Sequence, residues 1–318
     1  MNKNKDYYQL EKNIIKNKQR IEKLEAEKDP ENKKEIKEIK SQIEKEWEQI
    51  KPKLTPFNIV QIARHQMRPN TLDYIDHLTE DFLEFHGDRR FRDDPAIIAG
   101  FGFYKKKSVA IIGHQKGRTT RQRLKRNFGQ PNPEGYRKAL RIMRLAEKFN
   151  TPIFTFIDTQ GAYPGIEAEE RGQAEAIAFN LHEISKLKIP VLNIIIGEGG
   201  SGGALGIGVG DIYLMLENAY YSVISPEGCA AILWKDQSAV NKAVENLKIC
   251  APDLLKLKII DKIIPEPPGG AHIDWEQTFK NVDKELNKTL QNLEQISADE
   301  RLEKRYNKFR KIGEFIEK

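Results

Sequence analysis

The sequence predicts an α/β core at about residues 95–265, flanked on both sides by helical extensions. Three observations support this fold class. From Thr151 onward, patterns typical of buried strands and of helices alternate along the chain. Charged residues make up 31% of the 318 residues, and they concentrate towards the two ends. An apolar run at Val191–Ile196 breaks into glycines, as expected for a buried strand that leads into a tight turn and a helix.

The N-terminal extension is predicted to be a helical hairpin. Residues 7–28 place apolar side chains at heptad a and d positions, and Asp29-Pro30 then supplies an N-cap and a proline for a second helix. Thr55-Pro56 repeats this signal before a predicted helix at Phe57–Arg64, and another helix is expected over about Thr71–Phe85. The apolar stripe of the hairpin is narrow, so we expect it to pack on the main body or on a partner.

The core begins with two strands that neighbour each other. Ala96–Tyr104 and Ser108–His114 are joined by a short lysine turn, which predicts a β-hairpin. A loop over Gln115–Asn132 carries many basic residues and is followed by a helix at Pro133–Phe149. The next strand, Ile153–Ile157, ends in the sequence DTQGAYPG.

The second half of the core repeats the alternation of strand and helix. A helix over about Glu167–Leu187 leads to the apolar run and its glycines. The remaining core elements are predicted to be the strands Ile212–Glu217, Tyr221–Ile224 and Ile259–Ile264 and the helices Ser225–Trp234, Ser238–Leu247 and Pro252–Leu257. Two helices form the C-terminal extension, and Ser297-x-x-Glu300 is a capping box at the start of the second.

The composition excludes several classes of protein. No apolar run approaches the roughly 20 residues that a membrane-spanning helix needs, and the N-terminus resembles no targeting peptide. Cys229 and Cys250 are too few and too far apart for a structural zinc site. His65, His77 and His86 show no regular ligand spacing, so we expect packing or surface roles for them. These observations favour a cytosol-like compartment and no metal in this chain.

A basic cluster lies between His114 and Arg144. Ten lysines or arginines occur there against a single acid, Glu134. The half in the loop, Lys116–Arg126, favours an anionic partner, which could be nucleic acid, the phosphates of a cofactor or an acidic protein surface. For the half at Arg137–Arg144, a solvated helix face and an anionic partner explain the charges equally well. Few aromatic residues lie nearby for base stacking, so single-stranded nucleic acid is the weaker candidate.

Two catalytic or binding motifs compete for the glycine-rich stretch. Gly197-x-Gly199-x-x-Gly202 resembles a dinucleotide-binding fingerprint, with Glu217 at the end of the next strand. The helix that follows is too short to serve as the crossover of a βαβ unit. Gly199-x-Ser201-x-Gly203 resembles the nucleophile elbow of a hydrolase, with His272 downstream. Because His272 lies in a proline- and glycine-rich bend beyond the last core strand, the esterase hypothesis is weak.

A third interpretation of the stretch uses the main chain. The N–H groups of Gly202, Gly203 and Ala204 would form an oxyanion hole, and Gly161 and Ala162 would line the same cleft. Such a site stabilises an enolate-like oxygen and needs no side-chain base. A purely structural role for the glycines, in close packing of helix on sheet, stays open at this point.

These segments resemble those of a known family, the α subunit of the carboxyltransferase of bacterial-type acetyl-coenzyme A (CoA) carboxylase. The similar segments are KGR (Lys116–Arg118), RNFGQPNPEGYRKALR (Arg126–Arg141), DTQGAYPG (Asp158–Gly165), GEGGSGGALGIGVGD (Gly197–Asp211), SVISPEGCAAILW (Ser222–Trp234) and RYNKFRKIGEF (Arg305–Phe315). The resemblance extends over nearly the whole chain, including the predicted hairpin.

The resemblance implies a crotonase-like (ClpP/crotonase) fold, a spiral of ββα units. It also implies an enzyme that moves the carboxyl group of carboxybiotin, held on the biotin carboxyl carrier protein, to acetyl-CoA, giving malonyl-CoA for fatty acid synthesis. The expected assembly is an α2β2 heterotetramer with the active site between α and β, a zinc ribbon in the β subunit, and a biotin carboxylase in the larger complex. The family is further described as ATP-binding and nucleotide-binding, and neither a membrane nor a specific nucleic acid is expected as a partner.

The resemblance also assigns a role to the glycine-rich stretch. The N–H groups of Gly202, Gly203 and Ala204 would hold the ureido oxygen of biotin. Negative charge grows on that oxygen as CO2 leaves, so fixed donors would bind the transition state more strongly than the ground state. The freed biotin nitrogen would remove the acetyl α-proton, and the enolate would attack CO2. Ser201 becomes a loop residue and Glu217 a structural one.

For substrate binding, the resemblance places Gly161 and Ala162 in the cleft. Lys116, Arg118 and Arg121 would meet either the phosphates of CoA or an acidic neighbour.

We expect three parts in the chain, which are an N-terminal helical extension (1–94), a carboxyltransferase core (95–265) and a C-terminal helical extension (266–318). The expected location is the cytoplasm, or the stroma if the chain is plastid-encoded, and the lysine-, asparagine- and isoleucine-rich usage fits either source.

Overall fold

A mixed β-sheet of eight strands organises residues 6–313, the part of the chain that the computed structural model describes apart from the side chain of Gln237. The strands are β1 (Glu80–Glu84), β2 (Ile97–Tyr104), β3 (Lys107–His114), β4 (Ile153–Thr159), β5 (Val191–Gly200), β6 (Ile212–Leu216), β7 (Tyr220–Ser222) and β8 (Lys262–Ile264). Their order is β1-β2-β3-β4-β5-β6-β8, and β7 pairs with the last residues of β5. The first three strands are antiparallel, and the pairs from β3 onward are parallel. Glu314 and Phe315 of the similar C-terminal segment lie outside the described residues.

Fifteen α-helices accompany the sheet in the described residues. They are α1 (Tyr7–Leu10), α2 (Lys12–Ala26), α3 (Asn32–Ile50), α4 (Pro56–Ala63), α5 (Thr71–Leu78), α6 (Thr120–Lys125), α7 (Pro133–Lys148), α8 (Ile166–Glu170), α9 (Gln173–Ile184), α10 (Ser201–Leu205), α11 (Pro226–Trp234), α12 (Val240–Leu247), α13 (Ala251–Lys256), α14 (Trp275–Glu294) and α15 (Ala298–Arg310). Within residues 6–313, no helix combines the length and the apolar character that crossing a membrane requires.

The main hydrophobic core surrounds the central parallel strands. Every residue of β4 and β5 is buried, which explains why their sequences are continuous apolar runs rather than alternating ones. Helices α7 and α9 pack against each other, and α7 also packs on β2 and β3. Phe279, Val282 and Leu286 of α14 belong to the same core. The C-terminal helix α15 is tied to the sheet by Arg305, whose buried guanidinium donates to both oxygens of Asp211 at 2.9 Å.

The predicted N-terminal hairpin is confirmed and packs on the body. Its apolar stripe forms a second, smaller core with residues of α4 and of the bend before α14, consisting of Tyr7, Ile14, Ile21, Ile39, Ile43, Trp47, Ile62 and Ile273. The hydroxyl of Tyr7 donates to the carbonyl of Gly269 at 2.6 Å. Helix α3 begins two residues later than Asp29-Pro30 predicts, because the Asp29 carboxylate accepts from the N–H of Glu31 in the turn.

The helix predicted over Thr71–Phe85 is wrong beyond Leu78. Residues Glu80–Glu84 instead form β1, which pairs with β2 so that Leu83 lies opposite Phe101. The local sequence carries enough apolar residues for either structure. Pairing with the edge of the sheet decides between them, and that edge cannot be seen from a short window of sequence.

Three other predictions need correction. The loop predicted over Gln115–Asn132 contains α6, capped by Thr119, whose side chain accepts from the N–H of Gln122. The helix predicted over Glu167–Leu187 is two helices, broken at Gly172, whose φ of +81° suits glycine. The strand predicted to end at Ile196 continues through the glycines to the end of β5. The other predicted strands and helices are confirmed within a few residues.

Candidate active site

The glycine-rich stretch lies where two parallel strands end side by side. β4 and β5 are neighbours in the sheet, and their carboxyl ends carry Asp158 and Glu198. The N–H of Glu198 donates to Oδ1 of Asp158 at 2.9 Å, and both carboxylates are buried. The carboxyl edge of parallel strands is the usual place for ligands in α/β proteins. This edge is therefore the candidate site.

A buried charge network, made of Arg64, Lys116, Asp158, Glu198 and Tyr220, holds this edge together. Nζ of Lys116 lies 2.7 Å from Asp158 and also pairs with Glu198, which in turn accepts from Nε of Arg64 and from the hydroxyl of Tyr220, both at 2.6 Å. Burial alone would raise the pKa of Glu198, but the charges of Lys116 and Arg64 outweigh it and hold the pKa at about 2. Glu198 is thus ionised at any working pH.

The network connects the strand ends to two helices. Arg64 follows α4, and its guanidinium also binds the carboxylate of Glu227 in α11. Each of these ions has at least one partner of opposite charge, which a buried ion needs if it is not to destabilise the fold. The network therefore fixes α4 and α11 against the ends of β4 and β5.

The three basic residues predicted to bind the substrate have different surroundings in the structure. The ammonium of Lys116 lies between two carboxylates, and its side chain is only 12% exposed. Arg118 pairs with Asp73 and lies over the ring of Trp275 at 4.5 Å. Arg121, on α6, is exposed. Of the three side chains, only that of Arg121 extends freely towards solvent.

The second half of the basic cluster is divided, because Arg144 is exposed whereas Arg137 and Lys138 are held in ion pairs. Lys138 is fully buried, and its ammonium lies 2.7 Å from Asp93. Arg137 pairs with Asp88 at the same distance. These residues of α7 hold the loop before β2, which is a structural role that charge counting along the sequence could not distinguish from solvent exposure.

The residues predicted to line the main-chain cleft lie close together in the structure. Gly203 packs directly on the peptide that joins Gly161 to Ala162, and a Cβ at 203 would lie 2.4 Å from the Gly161 carbonyl carbon. No side chain larger than hydrogen can occupy that position without moving one of the two loops. The contact between the DTQGAYPG loop and the glycine-rich stretch, inferred from sequence, is therefore direct.

The three predicted donors lie at the start of α10. Gly202 and Gly203 belong to its first turn, where N–H groups have no acceptor four residues back within the helix, and Ala204 follows as the fourth residue. In residues 6–313, no hydrogen bond outside α10 uses the N–H of Gly202, Gly203 or Ala204. Ser201, just before them, has a φ of +50°, a conformation rare for a residue with a Cβ and often found at functional sites. Main-chain donors of this kind can stabilise a developing negative charge.

Sequence reasoning missed His114, the last residue of β3. Its fully buried ring bridges the two loops, with Nε2 3.2 Å from the carbonyl oxygen of Gly203 and Nδ1 3.4 Å from the N–H of Asp158. Burial lowers the pKa of His114 to about 3, so the ring is neutral. The sequence feature that could have indicated its role is a histidine at the carboxyl end of a predicted buried strand, since the other site residues also lie at strand ends.

A polar cleft of about 90 Å³ opens beside the charge network. Charged and aromatic side chains line it, among them Arg64, His65, Lys116, Arg123, Phe128, Asp158 and Glu198. Phe128 has a φ of +56°, and 42% of its surface is exposed. An exposed aromatic ring on a strained backbone is a candidate ligand contact.

The contacts in the structure argue against the hydrolase and the dinucleotide-binding hypotheses. The ring of His272 is buried against Glu11 and stacks on His65 with centroids 3.9 Å apart. Within the described residues, no hydrogen bond joins Ser201 to a histidine, so no hydrolase triad is assembled there. Glu217 pairs with Lys51, as befits a structural residue rather than a ribose ligand.

Glu11, His65 and His272 could suggest a metal site, because their ligand atoms lie within 4.8 Å of one another. However, Nδ1 of His65 accepts from the N–H of Met67 at 3.2 Å, so Nε2 carries the proton and points it at Glu11. A protonated nitrogen has no lone pair for a metal. The geometry favours a hydrogen-bonded cluster that joins α2 to the body.

Comparison with known proteins identifies the family. The family described as "Acetyl co-enzyme A carboxylase carboxyltransferase-like" matches residues 6–313. The acetyl-coenzyme A carboxylase carboxyl transferase subunit alpha of Staphylococcus haemolyticus is 54% identical over 312 residues, covering 97% of this chain and 99% of that protein. The protein of the same name from Bacillus cereus (strain G9842) is 57% identical over 280 residues, covering 88% and 86%.

Solved structures show the same fold at low identity. The transcarboxylase 12S core matches with a TM-score of 0.55 and 17% identity, over 70% of this chain and 41% of that one. The beta subunit of geranyl-CoA carboxylase from P. aeruginosa matches with a TM-score of 0.57 and 14% identity, over 78% and 46%. These similarities confirm the crotonase-like fold. Together with the match over residues 6–313, they establish that the chain belongs to the acetyl-coenzyme A carboxylase carboxyltransferase family.

Proposed function

We propose that this chain is the α subunit of the carboxyltransferase of acetyl-CoA carboxylase. It transfers the carboxyl group of carboxybiotin, presented on a carrier protein, to acetyl-CoA and forms malonyl-CoA for fatty acid synthesis. The observation that carries the proposal is the 54% identity over 97% of the chain to a protein of that name. The main-chain N–H groups at the start of α10, which no hydrogen bond outside that helix uses in residues 6–313, supply matching chemistry.

The chain contributes fixed donors rather than a side-chain base. The N–H groups of Gly202, Gly203 and Ala204 face the ureido oxygen of the biotin substrate, where negative charge grows as CO2 departs. Donors that are already oriented lose no reorganisation energy when the charge appears, so they favour the transition state. Biotin itself supplies the nitrogen that takes up the acetyl α-proton, which fits a described site with no assembled triad.

The rest of the cleft supports the substrates. Gly161 and Ala162 form the wall against which Gly203 packs. The phosphates of CoA meet the exposed basic side of α6, where Arg121 and Lys125 extend to solvent. Lys116 and Arg118 act through the ion pairs that hold the cleft edge. ATP binding belongs to the biotin carboxylase of the larger complex and not to this chain.

Exposed apolar side chains on and before α11 support a partner subunit. Ile232 and Leu233 of α11 are 69% and 65% exposed, and Val223, which precedes the helix, is 77% exposed. Large apolar side chains left exposed in this way are typical of surfaces that bind another protein. The proposed partner is the zinc-bearing β subunit, in an α2β2 heterotetramer whose active site lies between the two chains.

Reconstitution tests this proposal. The chain is purified alone and with its β subunit, and malonyl-CoA formation is measured from acetyl-CoA and carboxybiotin on the carrier. We expect turnover only in the complex, together with stoichiometric zinc that follows the β subunit. Malonyl-CoA made by the chain alone would contradict the divided site, and a zinc-containing complex without turnover would contradict the proposed reaction.

A further inference from the structure

The carbonyl of Gly203 is left without a main-chain partner among residues 6–313. Helix α10 ends at Leu205, and the N–H of Gly206 and Ile207 bond to Gly202 and Ala204 instead. The last carbonyls of a helix need hydrogen-bond donors from elsewhere. Nε2 of His114 provides one to Gly203 at 3.2 Å, from the end of β3.

We propose that His114 is a positioning residue for carboxyl transfer, which sets the orientation of the Ala204 N–H by holding the carbonyl of the same peptide. The inference rests on the proposed function, since it concerns one of the three proposed donors. A trans peptide is planar, and its C=O and N–H point in opposite directions. A hydrogen bond that fixes the Gly203 carbonyl therefore also fixes the direction of the Ala204 N–H.

The ring of His114 is itself held in one tautomer. Nδ1 accepts from the N–H of Asp158, so the proton must lie on Nε2, facing Gly203. The main chain of His114 is also anchored, because the hydroxyl of Thr71 donates to its carbonyl at 2.5 Å. The ring is fully buried, and its low pKa keeps it neutral, so this donor does not change with pH.

His114 thus joins the two loops of the site. On one side it contacts the end of β4 through Asp158, and on the other it contacts α10 through Gly203. A donor within an oxyanion hole is effective only when it is oriented before the charge develops. The bond from His114 supplies this orientation for a peptide that joins a glycine to an alanine, neither of which has a long side chain to anchor it.

Two amide variants separate the two contacts of the ring. In His114→Gln the side-chain nitrogen reaches the position of Nε2, so the bond to Gly203 is kept and the bond from Asp158 is lost. In His114→Asn the amide reaches only the position of Nδ1, so the bond from Asp158 is kept and the bond to Gly203 is lost. Both variants bury one polar amide, which makes them matched controls for stability.

The test measures kcat and KM of both variants in the reconstituted complex, with thermal unfolding measured alongside. We expect His114→Asn to lower kcat roughly 10- to 100-fold with KM nearly unchanged, because removing a whole oxyanion donor costs about 10²–10³-fold and this one is only misaligned. His114→Gln should keep kcat within about fivefold of the wild type, and neither variant should change the pH profile between about 6 and 9.

Equal kcat in the two variants, or losses that follow their unfolding temperatures, would overturn the proposal. An amide-to-ester replacement at position 204, with lactic acid in place of alanine, distinguishes this failure from failure of the proposed site. If the ester lowers kcat and the two His114 variants do not differ, the donor stands and the positioning role falls. If the ester has no effect, the proposed donor itself is wrong.

Discussion

The N-terminal hairpin and the charge network at the strand ends use charged residues in opposite ways. In the hairpin, Arg20 and Glu35 form an ion pair whose side chains are 64% and 39% exposed. In the network, Lys116 and Glu198 are 12% and 2% exposed. An exposed pair is screened by water, whereas a buried ion that loses its partner is strongly destabilising. The high charge content of this chain therefore has two separate roles, which are solvation at the ends and rigid positioning at the site.

Substitution at Gly203 should have the largest effect on turnover, because it disturbs the proposed donors at the strand ends. Gly203→Val is expected to lower turnover of the reconstituted complex by more than about a thousandfold, since the donors of α10 are displaced. The new side chain would overlap the Gly161 carbonyl carbon, 2.4 Å from the position of the Cβ.

Gly202→Ala is the matched control for that variant. A Cβ at 202 meets only the side chain of Ile177, with Cδ1 at 3.4 Å and Cγ2 at 3.8 Å, both ordinary contact distances. We expect this variant to keep at least about a tenth of the wild-type turnover, since an alanine fits there and its N–H is retained. Equal losses in the two variants, measured on intact complexes of normal size, would show that the collision with Gly161 is not the cause.

Glu198→Gln is the sharpest test of the charge network. The change leaves Lys116 and Arg64 with one partner fewer in a buried setting. Breaking a buried pair in this way costs about 3–5 kcal/mol of unfolding free energy. Denaturant unfolding of the variant checks the value, and a loss below about 1 kcal/mol would show that water reaches the network and screens it.

Acid should weaken the network in a defined pH range. The pKa of Glu198 is lowered from 4.5 to about 2 in the folded chain, because Lys116 and Arg64 outweigh the effect of burial. Its contribution to stability is therefore complete above pH 4.5 and is lost as the pH falls from there towards 2. The difference in unfolding free energy between wild type and Glu198→Gln should shrink over that range, and a constant difference would contradict this assignment.

The same chemical change in the hairpin should have the smallest effect. Glu35→Gln removes the exposed partner of Arg20. Its expected cost is less than about 1 kcal/mol, and it should disappear in high salt, because exposed pairs are weak and screened. A cost equal to that of Glu198→Gln would erase the difference between the two regions.

Much of the fold could be predicted because local patterns and tertiary packing agree. The strands Ile153–Thr159 and Val191–Gly200 are buried on both faces, so their apolar runs are unambiguous. For Glu80–Glu84 the local pattern wrongly predicts a helix, because only the partner strand in the sheet determines the structure of this segment. The capping box at Thr119 is a local signal for α6, but the concentrated positive charge of the segment obscures it.

The site could be predicted only in part. The glycines indicate where a main chain approaches closely, and the structure places Gly203 against Gly161. The roles of Lys116 and His114 depend on which strands neighbour each other, and that information lies in the sheet order rather than in any local spacing. Five of the ten basic residues between His114 and Arg144 are paired with acids distant along the chain, which charge counting could not show.

Main-chain donors, and not a serine nucleophile, are the proposed contribution of this chain to carboxyl transfer. The most direct test compares Ser201→Ala with the amide-to-ester replacement at Ala204 in the reconstituted complex. We predict that Ser201→Ala keeps most of kcat and that the ester lowers kcat by about 10²–10³-fold, the usual cost of losing one oxyanion donor. Loss of turnover in Ser201→Ala with full activity in the ester variant would contradict the proposed role of the main-chain donors.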